Sequence, residues 1–276
     1  MITLTSPNGI GACIIDPTVG GRIESLVVGR SASSDGVDTE LLVRRDSPVI
    51  DPADPFSWGC FTMVPFCGRV RNAEITFRGA HHHLERRFGP HAMHGTVVES
   101  PWIVHDLTPT SALLGRDLGP QWPFAGTVHH EITIEDRGLW MTLTLSAQEP
   151  MPAQVGWHPW FRRPTAYSLP FAAFLERDGE GIATTRRIEF STPEYGCYDD
   201  CFVDVQGPIS MRIDGVSLSL ESDCSHWTVF DHKIHGICIE PQSGPPNGIN
   251  ESPEVLTSDG RLSRWFAINW DTDPSN

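Results

Sequence analysis

Alternation of apolar and polar residues with a period of two runs along most of this chain, and it narrows the fold more than any other feature. Leu139, Met141, Leu143 and Leu145 alternate with Trp140, Thr142 and Thr144. That spacing puts one face of a strand in a core and the other towards solvent. Near the C-terminus Trp265, Ala267 and Asn269 alternate with Phe266, Ile268 and Trp270. The segments 209–213 and 216–220 flank Asp214-Gly215, and Asp-Gly supplies the positive φ values of a two-residue hairpin turn. Residues 2–4 and 10–15, around Pro7-Asn8-Gly9, read as a second hairpin. Helix signals are scarce, because 25 glycines and 23 prolines are spread throughout and leave few windows for a stable amphipathic helix. The expectation is an all-β fold, a large antiparallel β-sandwich or barrel formed by residues 1–276 as one domain. Residues 30–39 read as an exposed loop, and the tail 271–276 reads as frayed.

Composition sets the partners. A formal charge of −15 repels phosphate backbones and anionic lipid, so neither nucleic acid nor a membrane surface is expected. Nine tryptophans and thirteen phenylalanines against three tyrosines supply rigid surfaces for a core or for stacking on a ligand. The seven cysteines, at 13, 60, 67, 197, 201, 224 and 238, are scattered, several inside apolar runs, as buried free thiols are. No basic-then-apolar leader opens the chain and no run approaches the ~18 apolar residues of a membrane span. A reduced, cytoplasmic protein is expected.

Two segments carry the chemistry. Glu240 closes the apolar run 236–239 and is followed by Pro241, Gln242 and a Gly/Pro-rich stretch, which predicts an acid where a strand gives way to a loop. His158 stands in Gly156-Trp157-His158-Pro159-Trp160-Phe161. One imidazole and one carboxylate are the minimum for moving a proton onto one atom and off another. Arg69 and Arg71 follow a proline-containing loop; a guanidinium fork suits adjacent sugar oxygens, and a solvated strand edge is the alternative reading. His91-Ala-Met-His94 has no third ligand at a metal-binding spacing and no His-Glu-x-x-His occurs, so no metal is expected. His81 to His83 read as a solvated loop, and Asp199-Asp200 as a turn between aromatics. Cys197 and Cys201 lack the second pair that a zinc site requires. Phosphate-cradling glycine loops and a Gly-x-Ser-x-Gly elbow are absent.

The order of these elements is more specific than any one of them. Arg69 in Pro-x-x-x-Arg-x-Arg, then His-x-x-His-Gly, then Gly-Trp-His-Pro-Trp-Phe, then Asp-x-x-Phe, then Glu-Pro-Gln-x-x-Pro-Pro-Asn resembles the aldose 1-epimerase (galactose mutarotase) family. The resemblance runs from about residue 60 to 250. It implies the mutarotase-type β-sandwich and interconversion of α and β anomers of a free aldohexose, with no metal, nucleotide or redox cofactor. It also implies that Glu240 is the general base at the anomeric hydroxyl and His158 the general acid at the ring oxygen. His94 resembles a second histidine near that oxygen, Arg69 and Asp199 resemble residues holding other hydroxyls, and Gln242 neighbours the base. Asp199 is preferred to Asp200 on the Asp-x-x-Phe spacing. Gly68 departs from the pattern, where many members carry Asn. Three alternatives stand beside this reading: a hexose-6-phosphate 1-epimerase gripping phosphate through Arg162-Arg163 or Arg71, a non-catalytic carbohydrate-binding module, and a metal-dependent cupin-like barrel. Ring opening needs an ionised carboxylate with a protonated imidazole; a nearby carboxylate favours that pair and burial between Trp157 and Trp160 opposes it.

Overall fold

The computed structural model describes residues 1–29, 38–191 and 198–271. Two antiparallel sheets, of eleven and eight strands, form the sandwich, with three two-stranded ribbons beside them. Helix is confined, among the described residues, to a 3-10 turn at Arg71–Ala73 and one turn of α-helix at Gly248–Glu251. The Ile209–Ile213 and Val216–Ser222 strands close a hairpin in which Ile213 faces Val216, with φ 45° at Asp214 and 89° at Gly215. Ile2–Thr5 pairs with Gly11–Asp16, so both hairpins expected from the sequence form. The expected loop 30–39 falls outside the described residues except for Asp38 and Thr39, and Thr39 already belongs to a short strand. The tail beyond Asp271 and Cys197 also lie outside them.

The core lies between the sheets. Trp157 and Trp227 of the eleven-stranded sheet meet Phe266 of the eight-stranded one, at ring separations of 5.9 and 6.0 Å. Burying a side chain of this size stabilises by about 1.5–3 kcal/mol relative to leaving it exposed. A second, smaller cluster of Val43, Phe61, Met63, Cys67, Val98, Trp160 and Cys238 packs on the other side of the eleven-stranded sheet. Strands between the two clusters are covered on both faces, so Gly156–Arg162 and Gly236–Gln242 are buried almost throughout. That double burial erases the period-two pattern there.

Three sequence expectations change. Glu240 does not close its strand: Gly236–Gln242 runs on through Pro241. The ladder between this strand and Gly156–Arg162 pairs Gly156 with Gln242 and Trp160 with Cys238, and nothing between. Pro159 and Pro241 both sit in the gap, where their missing N–H groups remove no ladder bond. His81 to His83 lie in an exposed strand, Ala80–His83, paired with Glu74–Phe77, because Arg78 and Gly79, at φ 52° and 81°, turn the chain there. Asp199 and Asp200 open the strand Asp199–Val205 instead of forming a turn.

Candidate active site

The same broken ladder builds the site. The register of the flanking pairs puts Glu240 directly opposite His158. Neighbouring strands extend the row: His158 faces Phe61 on one side, Glu240 faces Thr228 on the other, and Thr228 faces Cys201. Side chains along such a row share one face of the sheet. That face is the floor of a cavity of about 650 Å³, and Arg69, His94, His158, Asp199, Glu240 and Gln242 all line it. The six residues singled out in the sequence are therefore brought together, from five separate segments.

Each side chain is held by specific neighbours. His158 Nε2 stands 3.2 Å from Glu240 Oε1. Phe61 stacks on the His158 ring at 4.5 Å and fixes its plane. Gln242 donates from Nε2 to Glu240 Oε2 at 3.0 Å and to Thr228 Oγ1 at 3.0 Å. His94 lies edge-on to His158 at 4.8 Å, with its Nδ1 2.9 Å from the Met63 sulfur. His94 and Gly95 carry φ values of 54° and 81°. A Cβ on residue 95 would overlap the Val64 carbonyl, so only glycine lets the backbone approach closely enough to aim His94 inward.

Asp199 is shared between two guanidinium groups. Arg69 Nη2 donates to its Oδ2 at 3.3 Å and Arg177 Nη1 to the same oxygen at 2.9 Å. Arg177 Nε meets Asp200 at 2.9 Å. Asp199 shares the cavity-facing parity of Cys201 and lines the cavity, whereas Asp200 does not. Arg69 also donates to the Gly181 carbonyl at 2.6 Å. Gly68, at φ 64°, backs onto Pro246, and a Cβ there would stand 2.8 Å from the proline ring. An asparagine at position 68 would have to displace that ring.

Burial dominates the electrostatics. It pushes the Glu240 carboxyl well above the ordinary range, aided by Asp199 and opposed by Gln242 and Arg69. It pushes His158 well below, aided by His94. His94 falls to about 3, through burial and then Arg69. In the competition left open in the sequence, desolvation outweighs the neighbouring charges. The two tryptophans beside His158 divide by strand parity. Trp157 points into the core, donating from Nε1 to His130 Nε2 at 3.1 Å; Trp160 lines the cavity and donates to the Phe56 carbonyl at 2.6 Å.

Other candidates leave the site. His91 accepts at Nδ1 from the Asn72 amide at 3.1 Å and fixes a turn. Arg162 pairs with Asp214 at 2.8 Å, Arg163 with Asp231, and Arg71 with Asp178 and Glu180. None of these three arginines lines the cavity. Sequence reasoning missed Arg177, Thr228 and Phe61, whose positions depend on strand pairing and carry no local motif.

The profile of the aldose 1-epimerase family matches residues 1–243. Among solved structures, a putative aldose 1-epimerase from Escherichia coli K12 superposes with a TM-score of 0.80 at 17% identity, covering 98% of each chain. An aldose epimerase homologue from C. elegans gives 0.82 at 14% identity, again over 98% of each chain. A galactose 1-epimerase from Lactobacillus acidophilus gives 0.78 at 15%, over 98% of this chain and 93% of that one. At these identities the likeness to solved structures establishes the shared sandwich fold. No curated protein matches the sequence at a significant level.

Proposed function

The chain belongs to the aldose 1-epimerase family, and from that premise we propose that residues 1–276 act as one cytoplasmic catalytic unit that interconverts the α and β anomers of a free aldohexose. The observation that carries the proposal is the His158–Glu240 contact of 3.2 Å on the floor of a cavity. Opening a pyranose ring requires a proton to leave O1 while another reaches O5. A carboxylate at 240 takes the first and an imidazolium at 158 gives the second. The C1–C2 bond then rotates, and closure on the other face runs the two transfers in reverse.

The charge state fits this cycle. Burial favours a neutral acid beside a neutral imidazole. Moving one proton from Oε1 to Nε2 yields the carboxylate–imidazolium pair without changing the net charge of the site, so desolvation opposes that step far less than it opposes either ion alone. The first form suits ring closure and the second ring opening. Gln242 and Arg69 favour the carboxylate. Asp199, oriented by Arg69 and Arg177, offers acceptors to hydroxyl groups, and Trp160 and Phe230 offer apolar wall to the faces of the ring.

Against a phosphorylated substrate, Arg71, Arg162 and Arg163 are engaged by carboxylates away from the cavity. Lys233, the chain's only lysine, is the lining lysine or arginine, among the described residues, without a carboxylate partner. The test is the optical rotation of freshly dissolved α-galactose, α-glucose and α-glucose 6-phosphate. Accelerated relaxation of a free hexose is expected. Acceleration of the phosphate ester alone would favour the phosphorylated substrate, and unchanged relaxation of all three would overturn the catalytic reading.

A further inference from the structure

We propose that His94, His158 and Glu240 also form a binding site for a divalent transition-metal ion, best matched by Zn²⁺, and that the ion and the sugar exclude one another. One ligand atom from each of the three residues lies within 4.8 Å of the other two. In a tetrahedral zinc site with bonds of about 2.0–2.2 Å, ligand atoms stand roughly 3.3–3.5 Å apart. The His158–Glu240 pair is already at 3.2 Å, and with all three ligand atoms within 4.8 Å the third ligand needs to move by at most about 1.5 Å to close on an ion. The two imidazoles meet edge to face at 89° rather than stacked, and each offers a nitrogen to the cluster. Two imidazoles and a carboxylate suit zinc and its late first-row neighbours.

Outer contacts hold the ligands in place. Phe61 clamps the His158 ring, the Met63 sulfur holds His94 and Gln242 holds Glu240. Contacts of this kind tune affinity by orienting the first ligands. The cavity above leaves a fourth position open to water, as in sites where zinc keeps an exchangeable ligand. The sequence pairs His94 with His91 at a metal-like spacing, but the fold separates those two and joins His94 to His158 and Glu240 instead. The exclusion of sugar rests on the proposed function, because the ion would occupy the atoms that must reach O1 and O5. Such an ion is an inhibitor, not a cofactor.

The test is a Co²⁺ titration of chelator-treated protein, following visible d–d absorption. Saturable binding is expected, weakened at least about a hundredfold in His94→Gln and in His158→Gln, since loss of a direct ligand exceeds the roughly 10–100-fold effect of losing an outer contact. Circular dichroism checks that each variant is folded. Excess of a hexose whose mutarotation the protein accelerates should displace the ion. Binding that is unchanged in both folded variants would place the ion elsewhere, for instance on exposed His81 to His83, and overturn the proposal. Binding lost in the variants but untouched by excess of that hexose would overturn the exclusion. Mutarotation of metal-free protein is measured separately. Its absence beside an intact Co²⁺ spectrum would sink the catalytic reading and the exclusion that rests on it while leaving the metal site standing, and its presence without Co²⁺ binding would sink this inference alone.

Discussion

Replacing Gln242 by Met keeps a side chain of similar length in a fully buried position and deletes the amide, whose Nε2 donates to both Glu240 and Thr228. In the parent chain that donor reaches Glu240 Oε2 at 3.0 Å. Hydrogen bonds to a charged group contribute about 1.5–3 kcal/mol, and 1.36 kcal/mol corresponds to about one pH unit. The bond favours the ionised form, so its loss raises the pH at which the carboxylate appears. The acid limb of the pH–rate profile should therefore move up by roughly one to two units. On that limb the rate at fixed pH should fall about 10–100-fold. The limb reports the coupled His158–Glu240 pair rather than one residue. Polarimetric mutarotation of α-galactose between pH 4 and 9 reads the shift, with thermal melting as the fold control. An unmoved limb, or one moved to lower pH, would refute the assignment of Gln242 as the group holding Glu240 ready to ionise.

Glu240→Gln and His158→Asn should each lower kcat by about 10²–10⁴, and the double variant should lose little more than the worse single one, because the two act as a unit; multiplicative losses would argue for independent roles. Gly95→Ala should destabilise the fold, about 1–3 kcal/mol from backbone strain at φ 81° with the Val64 overlap added; an unchanged urea midpoint would contradict the steric account. Trp157→Ala should cost about 3–5 kcal/mol of stability, whereas Trp160→Ala should raise KM with a smaller change in stability. The reverse pattern in melting and kinetics would mean that strand parity has been misassigned. Removing metal with a chelator should leave mutarotation undiminished.

The two hairpins and the long C-terminal strand were legible because one of their faces is more exposed, and alternation survives where burial is one-sided. It fails at Gly236–Gln242, where clusters cover both faces, and there the proline after Glu240 mimics a strand end. Prolines in a central strand argue against continuation; here the ladder opens at that level, and it is the opening that sets His158 against Glu240. His158 and Glu240 were readable from their dipeptides with proline and from the order of the surrounding motifs. Arg177 and Thr228 were not, since residues on other strands contribute through pairing that no local pattern encodes. The protonation state was also beyond the sequence, which shows which charges are near but not how little water reaches them.

The most direct measurement is a crystal structure of the Glu240→Gln protein with galactose bound. One pyranose should span the floor of the cavity, its O1 within hydrogen-bond distance of the amide at 240 and its O5 within the same reach of His158 Nε2. A sugar seated with O5 turned towards Asp199, or bound away from the floor, would contradict the central claim that these two side chains act on the same ring.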